Sequence, residues 1–335
     1  MSKTEYVIRI DNVKKYFRIT KGTFVKKEID IKAVDGVSLS IKRGETLGIV
    51  GESGSGKTTL ARLILSLTAP TSGDVYINDI DVLNSDERAI KEIRRKVTVV
   101  FQDPSSSLNP RRKLLYSLTR PLIVYGMNKK DALIKVEEVL KKVQLDKEYL
   151  DYYPHQLSGG QLQRACIARA LALDPEIIIL DEPTSALDIS IQAQILNLLI
   201  SLQNEYNLTY IFITHDLNVV RYMSDEIMVM YLGKVVETAD TDEIFSDPRH
   251  PYTFGLLNSI NTQDSKKEQT KLKGEPDSMI NIPLGCRLST RCPYADEHCR
   301  VSYPPYESIK NNHKVACFKH EEIKENIFGG LVVNE

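Results

Sequence analysis

Apolar and polar side chains alternate through the first forty residues, in "YVIRI" and "AVDGVSLSI", the period-two pattern of antiparallel strands with one wet face. Between them the Lys-rich stretch "TKGTFVKKEID" predicts a loop. At "ETLGIV" the pattern changes: the run becomes continuously apolar and stops at Gly51, as a strand of a buried parallel sheet would. "GKTTLARLILSL" then carries helical periodicity, and "RKVTVVFQD", "PEIIILDEP" and "LTYIFITHD" supply further buried strands, so the fold class is α/β. Over about 104–156 the strand signal is absent and "KKDALIKVEEVLKKVQL" is strongly amphipathic, which predicts an all-helical insertion. "EIMVMYLGKVVETAD" reads as a hairpin turning at Gly233. Residues 1–260 therefore make one large domain, the polar run at 261–275 a linker, and 276–335 a small extension that carries four of the five cysteines.

Composition narrows the partners. With Lys+Arg 44 against Asp+Glu 45, the net charge of −1 offers no global field for nucleic acid or an anionic membrane, so any polyanion must be bound locally. The N-terminus lacks the apolar stretch of a secretory signal and no window approaches the length of a membrane span, which leads us to expect a cytosolic chain.

The local anion site is "GESGSGKTT", which fits G-x-x-x-x-G-K-[ST] at Gly51, Gly56, Lys57 and Thr58, between a buried strand and a helix. Glycines let successive backbone N–H groups converge on phosphate, the helix N-terminus adds its dipole, Lys57 reaches the outer phosphates, and the Thr58 hydroxyl can ligate Mg²⁺. A Gly/Ser-rich turn before an ordinary helix is the bland alternative, and the strand–loop–helix context speaks against it. The strand "IIIL" ends at Asp181 and Glu182, the edge where ligands bind in open α/β sheets. Asp181 suits Mg²⁺ and Glu182 suits a general base, although two acids before Pro183 can equally begin a turn.

"LSGGQ", Leu157 to Gln161, makes a second anion-binding helix N-terminus without a lysine, and one nucleotide should not need two. Here the chain resembles the ATP-binding-cassette ATPases, whose signature is this stretch; Gln102 in "VVFQDP", Ser185–Asp188 in "SALD" and His215 in "ITHD" follow the family's Q-loop, D-loop and switch histidine. The resemblance implies a P-loop ATPase with a RecA-like core, an antiparallel β subdomain, an inserted helical subdomain and a cysteine-rich C-terminal extension. It implies that Phe17 stacks on adenine, with Tyr16 the second choice, and that Gly51, Ser53, Gly54, Ser55, Gly56, Lys57, Thr58, Thr59 and Gln102 contact the nucleotide. Thr58, Gln102 and Asp181 would hold Mg²⁺, Glu182 would activate water, and His215 would sense the γ-phosphate. Two subunits sandwich ATP in that family, so Ser158, Gly159, Gly160, Gln161 and Asp188 would face the nucleotide on the other subunit.

Within the family, "VVFQDPSSSLNPR", "YYPHQLSGGQ", "PTSALDISIQAQILNLL" and "HPYTFGLL" resemble the ATPases of oligopeptide and dipeptide permeases. This implies an ATPase that powers peptide import from the cytoplasmic side of the membrane. Its partners would be a second ATPase, favouring a heterodimer, two membrane permease subunits, and indirectly an extracytoplasmic peptide-binding protein. Nickel-permease ATPases share much of the pattern and make nickel or another small solute the alternative cargo. A soluble cassette protein acting on nucleic acid or ribosomes, or a thiol-redox regulator, are the readings from other classes; neutral charge and the lack of a basic, aromatic-laced stripe argue against nucleic acid.

Cys286, Cys292, Cys299 and Cys317 are separated by five, six and seventeen residues, wider than the close knuckles of most zinc sites. Four thiolates satisfy an iron–sulfur cluster, which tolerates such spacing, and the tail "GCRLSTRCPYADEHC" resembles permease ATPases associated with a [4Fe–4S] cluster. A [4Fe–4S] cluster is thus the expectation, with zinc, aided by His298, His313 or His320, and packed free thiols as the alternatives.

Overall fold

The computed structural model describes residues 5–21, 27–260, 272–274, 277–310 and 312–328. Twelve strands are described among them: β1 (Tyr6–Lys21), β2 (Lys27–Lys42), β3 (Thr46–Val50), β4 (Ser72–Ile77), β5 (Ile80–Asp81), β6 (Val97–Val100), β7 (Ile177–Asp181), β8 (Thr209–Thr214), β9 (Glu226–Tyr231), β10 (Lys234–Asp240), β11 (Glu307–Lys310) and β12 (His313–Val315). They form an antiparallel sheet in the order β2-β1-β4-β5 and a mixed sheet in the order β11-β12-β10-β9-β3-β8-β7-β6.

The long runs of β-branched and apolar residues in β3, β7 and β8 are buried at every position, as a strand covered on both faces requires. Strands β9, β3, β8, β7 and β6 are parallel to one another, so their carboxyl ends lie on one edge. Chain segments far apart in sequence are thereby brought side by side. Val50 pairs with Thr214 and Asp181 with Ile213, which sets Gly51, Glu182 and His215 at the same level along that edge. Burial of Ile49, Ile179, Ile211 and Phe212 holds this register, each such side chain contributing roughly 1.5–3 kcal/mol.

Helices span Pro104–Ser107, Leu114–Val124 and Lys129–Lys142, and no strand is described between residues 104 and 156. Leu118, Leu122, Val136, Val139 and Leu140 share one buried cluster with Leu162 and Ile167 from the helix Gly159–Leu171, so the amphipathic stripe is spent on packing.

One expectation about loops changes. Most of the Lys-rich stretch is strand: the β1–β2 pairing runs out to Lys21 opposite Lys27, with Arg18 Nε 3.2 Å from Asp30. Backbone pairing and cross-strand charges hold a ribbon with two wet faces, which has no apolar alternation to reveal it. Residues 22–26, and all of the expected 261–275 linker except 272–274, lie outside the described residues. The C-terminal segment also extends the main sheet, since β12 pairs with β10 and β11 with β12. Buried His313 on β12 reaches Glu237 on β10 at 2.7 Å, and Glu237 also accepts from the backbone N–H groups of Arg249 and His250.

Candidate active site

The P-loop follows β3 directly. Gly51, Gly54 and Gly56 all have positive φ, but for different reasons. A Cβ on Gly51 would lie 2.2 Å from the Met230 carbonyl and one on Gly56 2.2 Å from the Ala33 carbonyl, whereas one on Gly54 would meet nothing within 4 Å. Two glycines are therefore demanded by close backbone approach and the third leaves space open above the loop. Lys57 opens the helix Lys57–Ile64 and curls back, donating from Nζ to Gly51 O at 2.6 Å and Glu52 O at 2.9 Å. Burial lowers its pKa, while Glu182, Asp181 and Glu52 pull the other way. Ser55 is buried, Ser53 and Thr58 are exposed, and Thr59 is half-buried. The Thr58 hydroxyl is hydrogen-bonded to Asp181, whose own pKa is raised by burial.

Glu182 stands one residue beyond β7 with φ +48°, in the left-handed region that a non-glycine residue adopts at a cost of about 1–2 kcal/mol. Its backbone N–H donates to Ile213 O at 2.8 Å. Its carboxylate is gripped from both sides: Gln102 Nε2 donates to Oε2 at 2.8 Å, and His215 Nδ1 lies 3.1 Å from Oε1. The structure therefore brings Lys57, Thr58, Asp181, Glu182, Gln102 and His215 to one place. Phe17 on β1 is 42% exposed with Lys15 Nζ 5.1 Å from its ring centre. Tyr16 is committed elsewhere, donating to Asp35 Oδ1 at 2.5 Å, and burial followed by that bond pushes its pKa up to about 12. Of the two aromatics, Phe17 is the exposed one.

Ser158, Gly159 and Gly160 do not reach this cluster. Ser158 caps the helix Gly159–Leu171 in a reciprocal box: Gln161 N donates to Ser158 Oγ at 3.3 Å and Ser158 N to Gln161 Oε1 at 2.9 Å. Gly160 packs so closely that a Cβ would lie 2.7 Å from Ile191 Cγ2. Asp188 caps the neighbouring helix Ile189–Tyr206 through Ile191 N at 3.0 Å. Ser158, Gly159 and Asp188 are exposed, and Ile189 is 86% exposed.

The expectation for the cysteines is corrected. Cys286, Cys292, Cys299 and Cys317 line one small cavity with His250, Leu288 and Ile323. Yet among the described residues no three His, Cys, Asp or Glu side chains form a group able to hold a metal ion, which overturns both the [4Fe–4S] cluster and zinc. The physical reason lies in the surroundings: the thiols share the cavity lining with Leu288, Pro304, Phe318 and Ile323, and Cys286 and Cys292 pack against the buried cluster that holds Val229, Tyr231 and Tyr252. The cysteines pack as small apolar groups.

The sequence pattern did not reveal the salt bridges that tie this segment to the site. Arg291 makes two bonds to Glu52, Nη1 to Oε2 at 2.9 Å and Nη2 to Oε1 at 3.1 Å, and Arg287 bonds Asp35 and Leu232 O. Both arginines are buried, and charges placed inside a segment otherwise rich in cysteine were the available signal.

The ABC transporter family model matches residues 34–185, and the model described as oligopeptide/dipeptide transporter, C-terminal region, matches residues 236–299. The oligopeptide transport ATP-binding protein AppF of Bacillus subtilis (strain 168) is 48% identical over 319 residues, covering 93% of this chain and 97% of that protein. The dipeptide transport ATP-binding protein DppF of Escherichia coli (strain K12) is 45% identical over 310 residues, covering 92% of each. Among solved structures, a dimeric post-hydrolysis state of the ATP-binding cassette MJ0796 bound to ADP and Pi superposes with a TM-score of 0.61 at 36% identity, over 70% of this chain and 98% of that one. CbiO1 from Clostridium perfringens, part of the ABC transporter complex cbiONQ, gives a TM-score of 0.62 at 25% identity, over 78% and 97%.

Proposed function

We propose a division of labour among these residues from one premise: the chain belongs to the ATP-binding proteins of the oligopeptide/dipeptide ABC transporters. It is an ATPase, and its hydrolysis of ATP powers peptide import. Nickel, nucleic acid and ribosomes are not favoured, since the relatives are named for peptide transport.

The observation that carries the mechanism is the clasp of Gln102 and His215 on Glu182, beside Lys57 and the Thr58–Asp181 pair. The P-loop N–H groups and Lys57 bind the β- and γ-phosphates once Lys57 exchanges its carbonyl partners for phosphate oxygens. Thr58, Asp181 and Gln102 present only hard oxygen donors, which fits Mg²⁺; bound there, it supplies charge neutralisation on the phosphates. Glu182 accepts the proton of the attacking water as the water oxygen bonds to the γ-phosphorus and the bond to the bridging oxygen breaks. Gln102 and His215 orient that carboxylate in the free enzyme and turn to the nucleotide when it binds. Phe17 offers its exposed ring to adenine.

The exposed Ser158–Gly159 helix start, with Gly160, Gln161 and Asp188 beside it, serves the nucleotide of a second cassette, which makes ATP the closing element of a dimer. That reading accounts for a capped, exposed anion site that does not reach the chain's own P-loop. We favour a second, related ATPase as that partner. Among the described residues no helix is long and apolar enough to cross a membrane, so separate permease subunits form the path and this chain sits against them on the cytoplasmic face. The groove lined by Arg112, Tyr116, Arg120, Leu133 and Tyr153 on the helical insertion supports docking to them, and a peptide-binding protein delivers cargo outside. The test is co-purification with the partner ATPase and permease subunits into vesicles: peptide should accelerate ATP hydrolysis and accumulate. Hydrolysis indifferent to peptide, with no uptake, would defeat the reading.

A further inference from the structure

Glu52, the second residue of the P-loop, is held at three points. Its backbone N–H donates to Tyr252 OH at 2.8 Å, its carbonyl accepts from Lys57 Nζ at 2.9 Å, and its carboxylate takes both arms of Arg291. Arg291 is only 6% exposed, and its Nη1 also donates to Tyr231 OH at 3.2 Å. Tyr231 and Tyr252 pack with ring centres 4.6 Å apart, completing the wall behind the loop. A carboxylate at this place is a liability, because the loop exists to hold a polyanion and the charge of Glu52 is felt at Lys57. Bidentate pairing with a buried guanidinium cancels that charge and fixes the direction of the side chain.

We propose that Arg291, in the C-terminal segment, is a positioning residue for ATP binding that acts by neutralising Glu52, so that Lys57 is left for the phosphates. Arg291 touches neither substrate nor reacting atoms; it works through Glu52. Although burial alone would lower the pKa of Arg291, its bonds to Glu52 and Tyr231 raise it further, so the guanidinium keeps its charge at every working pH. The inference rests on the P-loop being the ATP site.

Electrostatic neutralisation and mere bracing give different results in a double-mutant cycle on the full-length chain, read as the equilibrium dissociation constant of MgATP and as kcat against KM. Arg291→Met should weaken ATP about tenfold, as an unpaired carboxylate near the phosphates would, while kcat stays within about twofold. Glu52→Gln alone should bind ATP at least as tightly as wild type, and Glu52→Gln with Arg291→Met should recover to within about threefold of it. A wild-type affinity in Arg291→Met, or a double variant as weak as the single, overturns the proposal. Should Arg291→Met not fold, Arg291→Lys carries the same test: about threefold weaker binding, restored by Glu52→Gln, against unchanged or unrestored binding. Lys57→Ala separates the premise from the inference. If it binds ATP normally, the P-loop assignment has failed; if it abolishes binding while Arg291→Met is silent, only the inference has.

Discussion

His215 Nδ1 lies 3.1 Å from Glu182 Oε1, joining the ends of two neighbouring parallel strands through one carboxylate. Gln102, from the end of β6, takes the other oxygen at 2.8 Å. Glu182 thus has no freedom to swing, and its left-handed backbone is locked by the Ile213 carbonyl. Glu182→Gln keeps the size of the side chain but removes the proton acceptor. ATP turnover should fall by at least about 100-fold, the usual contribution of a general base, while ATP binding persists and the closed pair of cassettes accumulates. Single-turnover hydrolysis and size-exclusion chromatography with ATP check both; wild-type turnover would remove Glu182 from the role.

The two groups holding Glu182 should be unequal to it in effect. Removing either leaves the carboxylate with one partner, a loss of one charge-assisted bond worth roughly 1.5–3 kcal/mol. His215→Ala and Gln102→Ala should each lower kcat about ten- to a hundredfold and, because both side chains turn to the nucleotide when it binds, also weaken MgATP. Unchanged MgATP affinity in both variants would mean that neither side chain leaves Glu182 for the nucleotide.

The P-loop and the Asp-Glu pair were legible in the sequence because each sits directly after a continuously apolar strand, and strands of that kind run parallel and share a carboxyl edge, whereas Gln102 and His215 were legible only through the resemblance to the cassette ATPases. What could not be read was pairing between segments far apart. Nothing local distinguishes Glu52 from any other loop glutamate until Arg291, 239 positions away, is placed beside it. Likewise β4, a short run in "SGDVYI", is recognisable only once β1 pairs with it. The four cysteines mislead for the opposite reason: spacing suggests ligands, but whether thiols converge as one ligand group or pack among apolar neighbours is set by the tertiary fold, which spacing does not encode.

Gly54 and Gly56 provide a contrast within one loop. Both have positive φ, but a Cβ at Gly56 would strike the Ala33 carbonyl at 2.2 Å while one at Gly54 points into open space. Gly56→Ala should cost about 2–4 kcal/mol of stability because a backbone segment must shift. Gly54→Ala should cost only about 1–2 kcal/mol of backbone strain yet weaken ATP binding, since its methyl group occupies the space above the loop. Thermal melts with and without nucleotide separate the two; equal destabilisation would count against the steric argument.

Asp35 should make stability depend on acid. It accepts from Tyr16 OH, pairs with Arg287, and lies 3.6 Å from Lys234 Nζ. Burial raises its pKa, but the Tyr16 bond and the Lys234 and Arg287 charges outweigh that and leave it below the ordinary value. The sign follows: a carboxyl whose folded pKa is depressed adds stability that is fully present above its unfolded pKa of about 3.9 and is lost as pH falls through the folded value. Asp35→Asn leaves buried Arg287 charged and without its carboxylate, a loss of roughly 3–5 kcal/mol for breaking a buried pair. Its urea midpoint should therefore fall well below wild type at pH 7, and the gap should narrow on acidification only below about pH 4, where the unfolded wild-type chain binds the proton that folded Asp35 still excludes. A gap that stays constant down to pH 3 would show that the carboxylate is not what holds Arg287, and that the Leu232 carbonyl, its other partner, suffices.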